Sequence, residues 1–142
     1  MIYEYKIMKN RFLHVVMLLL MTLGVSCQEK ENFQSVSVFE FKEIIKDSSV
    51  IVIDVRTVDE YIEGHIPDTD LNIDVLKDDF VEIINDKLPK KSTVAIYCRS
   101  GNRSKKAATQ LSNAGHKVFE LSTGIKGWIS EGEEVERNYM NE

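Results

Sequence analysis

Residues 93–104 read TVAIYCRSGNRS, an apolar, β-branched run that meets a cysteine and then breaks into small and basic residues. TVAIY (93–97) shows no polar alternation, which predicts a strand covered on both faces. Arg99, Ser100, Gly101 and Asn102 end it as turn formers. From Arg103 to Asn113, Ala107, Ala108 and Leu111 then recur on one face of a predicted helix, with Gly115 placed to stop it. A strand, loop and helix in this order aim backbone N–H groups back at the Cys98 sulfur. Such a loop is a site for an anion.

Outward from this segment, VIVID (50–54) reads as a second buried strand, KVFEL (117–121) as a third and LNI (71–73) as a shorter one. Ser37 and Glu40 have capping-box spacing, after which Val38, Phe41, Ile44 and Ile45 share a helical face. Phe80, Val81, Ile83, Ile84 and Leu88 do the same ahead of Pro89, and GIKGWISEG reads as a short helix. Strands alternating with helices predict an α/β fold with a mainly parallel sheet and helices on both faces. Ligands of such sheets sit at the carboxyl ends of the strands, where both Asp54 and Cys98 fall.

The 142 residues suffice for one domain, and 43% apolar with 29% charged residues is the balance of a globular chain. A formal charge of −5 with acids spread along the chain argues against nucleic acid as a partner. The first 26 residues differ: Lys9 and Arg11 precede an apolar stretch from Phe12 to Leu23, which reads as an export signal. Met8 stands directly before the basic head, so a start at Met8 is open beside Met1. LGVSC (23–27) resembles the lipobox of bacterial lipoproteins, although Leu23 lies one place early. That resemblance implies a lipidated Cys27, a polar tether over 27–34, a domain over 35–132 and a tail over 133–142. The chain would then be an exported lipoprotein, held at the periplasmic or cell-surface side of a membrane. The alternative is a plain secreted protein, with Cys27 a free thiol or a partner for Cys98.

Cysteines at helix N-termini and beside cationic groups are favoured as thiolates. Arg99 and Arg103 flank the loop, Gly101 permits its turn, and Ser104 offers a hydroxyl and an early-helix N–H. The plainer reading makes Cys98 the last buried residue of its strand. Polar turn formers and two arginines are poor company for an inert core position.

CRSGNRS (98–104) resembles the active-site loop of the rhodanese family of sulfurtransferases. DVRTVDEYIEGHIP (54–67) is similar to that family's first block, and LSTGIKGW (121–128) to its last. The resemblance implies a three-layer fold with about five strands in a mainly parallel sheet. It also implies that Cys98 accepts sulfane sulfur from a donor such as thiosulfate or polysulfide and passes it from a persulfide to a thiophilic acceptor, a small molecule or a protein. No cofactor or metal is implied. Residues 99–104 would bind the substrate, with Arg99 at the pocket mouth, while Asp54, Arg56 and Glu60 support the loop. Arg56 and Glu60 are spaced for an ion pair, His65 reads as a structural turn histidine and Trp128 as a core lid.

The rival on the same fold is a phosphatase or arsenate reductase, whose C-x5-R loop encircles an oxyanion. Its arginine would stand at Ser104, and Arg103 comes one place early. A non-catalytic persulfide carrier or binding module is the alternative from another class. If Cys27 is acylated, no second thiol remains to resolve a Cys98 persulfide, so acceptors come from outside the chain.

Overall fold

The computed structural model describes residues 32–137, which belong to one compact unit. The signal segment, Cys27, the start of the tether and the last five residues lie outside the described residues. Five strands form one sheet: β1 (Gln34–Val36), β2 (Val50–Asp54), β3 (Leu71–Asn72), β4 (Thr93–Tyr97) and β5 (Lys117–Leu121). Their order is β1-β5-β4-β2-β3, and every pairing is parallel. The helices are α1 (Val38–Ile44), α2 (Val58–Glu63), α3 (Phe80–Lys87), α4 (Asn102–Asn113) and α5 (Gly124–Ser130).

Alternation along the central strands divides the core into two apolar layers. Val94, Ile96 and Cys98 face the layer of Phe80 and Ile84 from α3 and Ala107, Ala108 and Leu111 from α4. Ala95 and Tyr97 face Phe41 of α1 and Ile125 and Trp128 of α5. Both faces of β4 are thus covered, which is why its sequence is apolar throughout. Trp128 packs edge-on to Phe41 and donates its indole N–H to the Glu134 carbonyl at 2.7 Å, as befits a core lid.

Ser37 caps α1 as the spacing predicts, its hydroxyl accepting from Glu40 N–H while the Glu40 carboxylate accepts from Ser37 N–H. A second capping box, Thr57 with Glu60, starts α2.

Two boundaries differ from the sequence reading. Phe33 is already buried and Gln34–Val36 pair with β5, so the fold begins inside the span assigned to the tether. Three residues, two of them exposed, are too few to show a period. At the other end, Glu136 and His65 exchange backbone hydrogen bonds of 2.9 Å, which ties part of the assigned tail to the domain.

Candidate active site

Strand β4 delivers Cys98 to the carboxyl edge of the sheet, where its own loop and the segment that opens α5 set the surroundings of the sulfur. Gly101 lies at φ +93°, where an added Cβ would come within 2.3 Å of the Ser122 carbonyl oxygen. Only glycine fits this left-handed turn. It directs Gly101 N–H to the Cys98 sulfur, 3.2 Å away. On the outer side, Ile125 N–H donates to the Cys98 carbonyl and Lys126 N–H to the Arg99 carbonyl, at 2.9 and 3.1 Å. The first turn of α5 therefore holds the loop's carbonyls away from the sulfur. Gly124 allows this approach, since a Cβ there would meet the Cys98 and Arg99 carbonyl oxygens at 2.6 Å.

The sulfur itself is nearly enclosed: Cys98 is 1% exposed and its thiol is free. It belongs to the core layer and to a polar cradle at once, so neither sequence reading of this cysteine was complete. Ser104, also buried, points its hydroxyl at the sulfur from 3.3 Å. Among the described residues the sulfur receives one loop N–H, not the several that the sequence suggested. Arg99, Ser100 and Asn102 are exposed on the loop and at the start of α4.

Asp54 and Arg56 form a buried pair at the end of β2. The Asp54 carboxylate accepts from the backbone N–H, Nε and Nη2 of Arg56, and Nη2 also donates to the Gly64 carbonyl at 2.7 Å. Burial alone would push the Arg56 guanidinium down, and the bonds to Asp54 more than offset it. Asn72 Nδ2 ties the Asp54 and Arg56 carbonyls to β3. His65 stacks on Tyr61 and its Nδ1 lies 3.0 Å from the Tyr61 carbonyl, a structural placement.

The expected Arg56–Glu60 ion pair is not formed. Glu60 instead accepts from Nη1 and Nη2 of Arg103, each at 2.7 Å, joining α2 to α4 across the site. Asp54, two residues from Arg56 and fully buried, is the nearer and stronger partner. The Arg103 hydrogen bonds lead the causes that hold the Glu60 carboxyl at about 2, below its ordinary 4.5. The unfolded chain therefore takes up this proton first as pH falls. The pair's contribution is complete above about 4.5 and is lost as pH falls through about 2. Glu60→Gln is expected to cost about 1 kcal/mol at neutral pH, the scale of a partly exposed pair. Urea titrations should show its deficit against wild type shrinking across that acid window.

One residue of the cradle escaped the sequence reading. Glu120 of β5 is fully buried, and its Oε1 accepts from the Ser104 hydroxyl at 2.6 Å. Its Oε2 accepts from the Ser35 hydroxyl at 2.6 Å. The available signal was a charged residue in phase with Val118 on a strand otherwise read as buried.

A parallel α/β sheet whose central strand sets a free cysteine in a polar cradle, with the first turn of α5 clamping the loop, defines a cysteine-centred α/β domain. The chain belongs to the Rhodanese-like domain family, whose pattern it matches over residues 37–131. It is 37% identical over 84 residues to a sulfurtransferase of Allochromatium vinosum, covering 58% of this chain and 75% of that protein. Similarity to the thiosulfate sulfurtransferase GlpE of Coxiella burnetii is 30% identity over 97 residues, covering 68% and 87% of the two chains. Among solved structures, the BH2092 protein of Bacillus halodurans superposes with a TM-score of 0.65 at 31% identity, covering 78% of this chain and 80% of that one.

Proposed function

We propose that Cys98 carries sulfur between a donor and an acceptor as a cysteine persulfide. The chain is a rhodanese-like sulfurtransferase, in keeping with its family and its sulfurtransferase relatives. The observation that carries the assignment of Cys98 is its setting: a free thiol at a strand end, held between the Gly101 N–H and the Ser104 hydroxyl. With thiosulfate, the Cys98 thiolate attacks the outer sulfur, the S–S bond breaks, and its electron pair leaves with sulfite. An acceptor such as cyanide then attacks the persulfide's outer sulfur and leaves as thiocyanate, returning the thiolate. This is a two-step nucleophilic course. Arg99, exposed on the loop directly after Cys98, is placed to attract an anionic donor. The opening N–H groups of α4 lack intrahelical partners and favour negative charge there.

The loop's length and polarity favour sulfur over phosphate. Ser104 occupies the place of an oxyanion-binding arginine, and Arg103 is engaged by Glu60. The purified protein is expected to form thiocyanate from thiosulfate and cyanide and to leave an aryl phosphate unhydrolysed. Cys98-dependent phosphate release, with no thiocyanate formed, overturns the assignment.

We propose further that the chain is exported and anchored through acyl groups on Cys27, on the strength of the basic head, apolar stretch and LGVSC of its first 27 residues. In a bacterial host the wild type should partition into detergent with the membrane fraction and Cys27→Ala into the aqueous phase. Equal partition of the two removes the anchor.

A further inference from the structure

Ser104 has one hydroxyl proton and three acceptors: Glu120 Oε1 at 2.6 Å, the Gly101 carbonyl at 3.1 Å and the Cys98 sulfur at 3.3 Å. A single proton satisfies one of them at a time. Glu120 is the nearest and, as a carboxylate, the strongest acceptor. It is also a buried acid to which no cation comes within 4.0 Å among the described residues. A second negative charge on Cys98 would put two anions into one water-poor cluster, an arrangement that burial penalises.

We infer that Glu120 is a positioning residue that governs Cys98 through the Ser104 hydroxyl, by exchanging one proton with the thiol along the line Cys98–Ser104–Glu120. The cluster has two arrangements of equal charge. In the first, Cys98 is a thiol and Ser104 donates to the Glu120 carboxylate. In the second, the S–H bond has broken, Ser104 has received that proton and passed its own to Glu120 Oε1. Glu120 then donates to Ser104, and Ser104 donates to the thiolate. Nothing is oxidised or reduced, and no proton leaves the protein. The Ser35 hydroxyl on Oε2 keeps the carboxyl in place in either arrangement. A thiol 1% exposed is thereby readied without bulk water.

The surrounding charges leave this exchange to Glu120. On α4, Arg103 feels the Cys98 charge, but its foremost partner is Glu60 of α2, and Asp74 also acts on it. Asp54 and Arg56 at the end of β2 pair with each other. Arg99 and Lys105 are exposed on the loop and on α4. From the flanking strands, Ser35 of β1 and Ile96 of β4 stand opposite Glu120. Neither is charged.

The inference rests on Cys98 being the reacting group, so its test reads the sulfur directly. The full chain is treated with iodoacetamide from about pH 4 to 10, and the alkylation rate is followed at the Cys98 peptide by mass spectrometry. Two coupled groups titrate as a pair, so the wild-type rate should rise in two steps with a plateau between them. Glu120→Gln mimics the protonated acid and should give one step, lying between the two, with about 10-fold faster alkylation on the former plateau. In a Ser104→Ala background the same Glu120→Gln change should bring much less gain, because the connecting hydroxyl is gone.

A single step in the wild type, superposed wild-type and Glu120→Gln profiles, or an undiminished gain without Ser104 each overturns the inference. The wild-type profile decides even if a variant does not fold. Persulfide formation by the wild type after thiosulfate is measured alongside. Its failure would remove the sulfur-transfer reading while leaving the proton exchange to stand or fall on the alkylation profile.

Discussion

Cys98→Ser is expected to reduce thiocyanate formation from thiosulfate and cyanide by at least about 1,000-fold, the scale on which loss of a covalent nucleophile is felt. The serine hydroxyl is nearly isosteric but stays protonated and attacks sulfur poorly, so the cradle around it cannot compensate. The same variant, incubated with thiosulfate, should show no gain of ~32 Da at residue 98, whereas the wild type should show it. Because the side chain differs by one atom and sits in the core, the fold should survive, and a near-wild-type urea midpoint checks this. Retained turnover in a folded Cys98→Ser protein removes the thiol from the mechanism.

The largest expected effect on stability is at Asp54. Its carboxylate is fully buried and is the counter-charge of Arg56, which is itself 5% exposed. Asp54→Ala leaves a buried guanidinium with the Gly64 carbonyl as its remaining hydrogen-bond partner. Breaking such a pair from one side costs about 3–5 kcal/mol, against a total of about 5–15 kcal/mol for a typical domain. A urea midpoint that falls sharply with an unchanged slope is the expected result. Replacing both members, Asp54→Leu with Arg56→Met, should recover much of the loss, because no uncompensated charge remains. A cost below about 1 kcal/mol for Asp54→Ala would put the pair on the footing of a surface ion pair.

How much of the fold is legible in the chain depends on how each element's signal is written. VIVID and TVAIY are covered on both faces and announce themselves by apolar continuity, and Cys98 is found from its polar, basic neighbours at 99–104. Gln34–Val36 was illegible because an edge strand of three residues is defined by its partner β5, 85 residues away in sequence. The partners of Arg56 were misassigned for a related reason. Spacing along the chain suggested Glu60, while the folded backbone turned Arg56 back on Asp54 and gave Glu60 to Arg103, 43 positions on. Glu120 shows the same limit: Ser35 of β1 and Ser104 of α4 meet it from two different elements, and Cys98 is joined to it only through Ser104. Pairings made across the sheet leave no period in the sequence.

The clamp of Ile125 and Lys126 N–H on the Cys98 and Arg99 carbonyls makes two distant stretches a single mechanical part. The shape of the loop at 98–101 is fixed by the helix that opens at Gly124, so neither stretch can drift alone. In a library randomised at both, accepted sequences should therefore come as matched pairs. A change at 122–126 that leaves Cys98 untouched should register first in the reactivity of its sulfur.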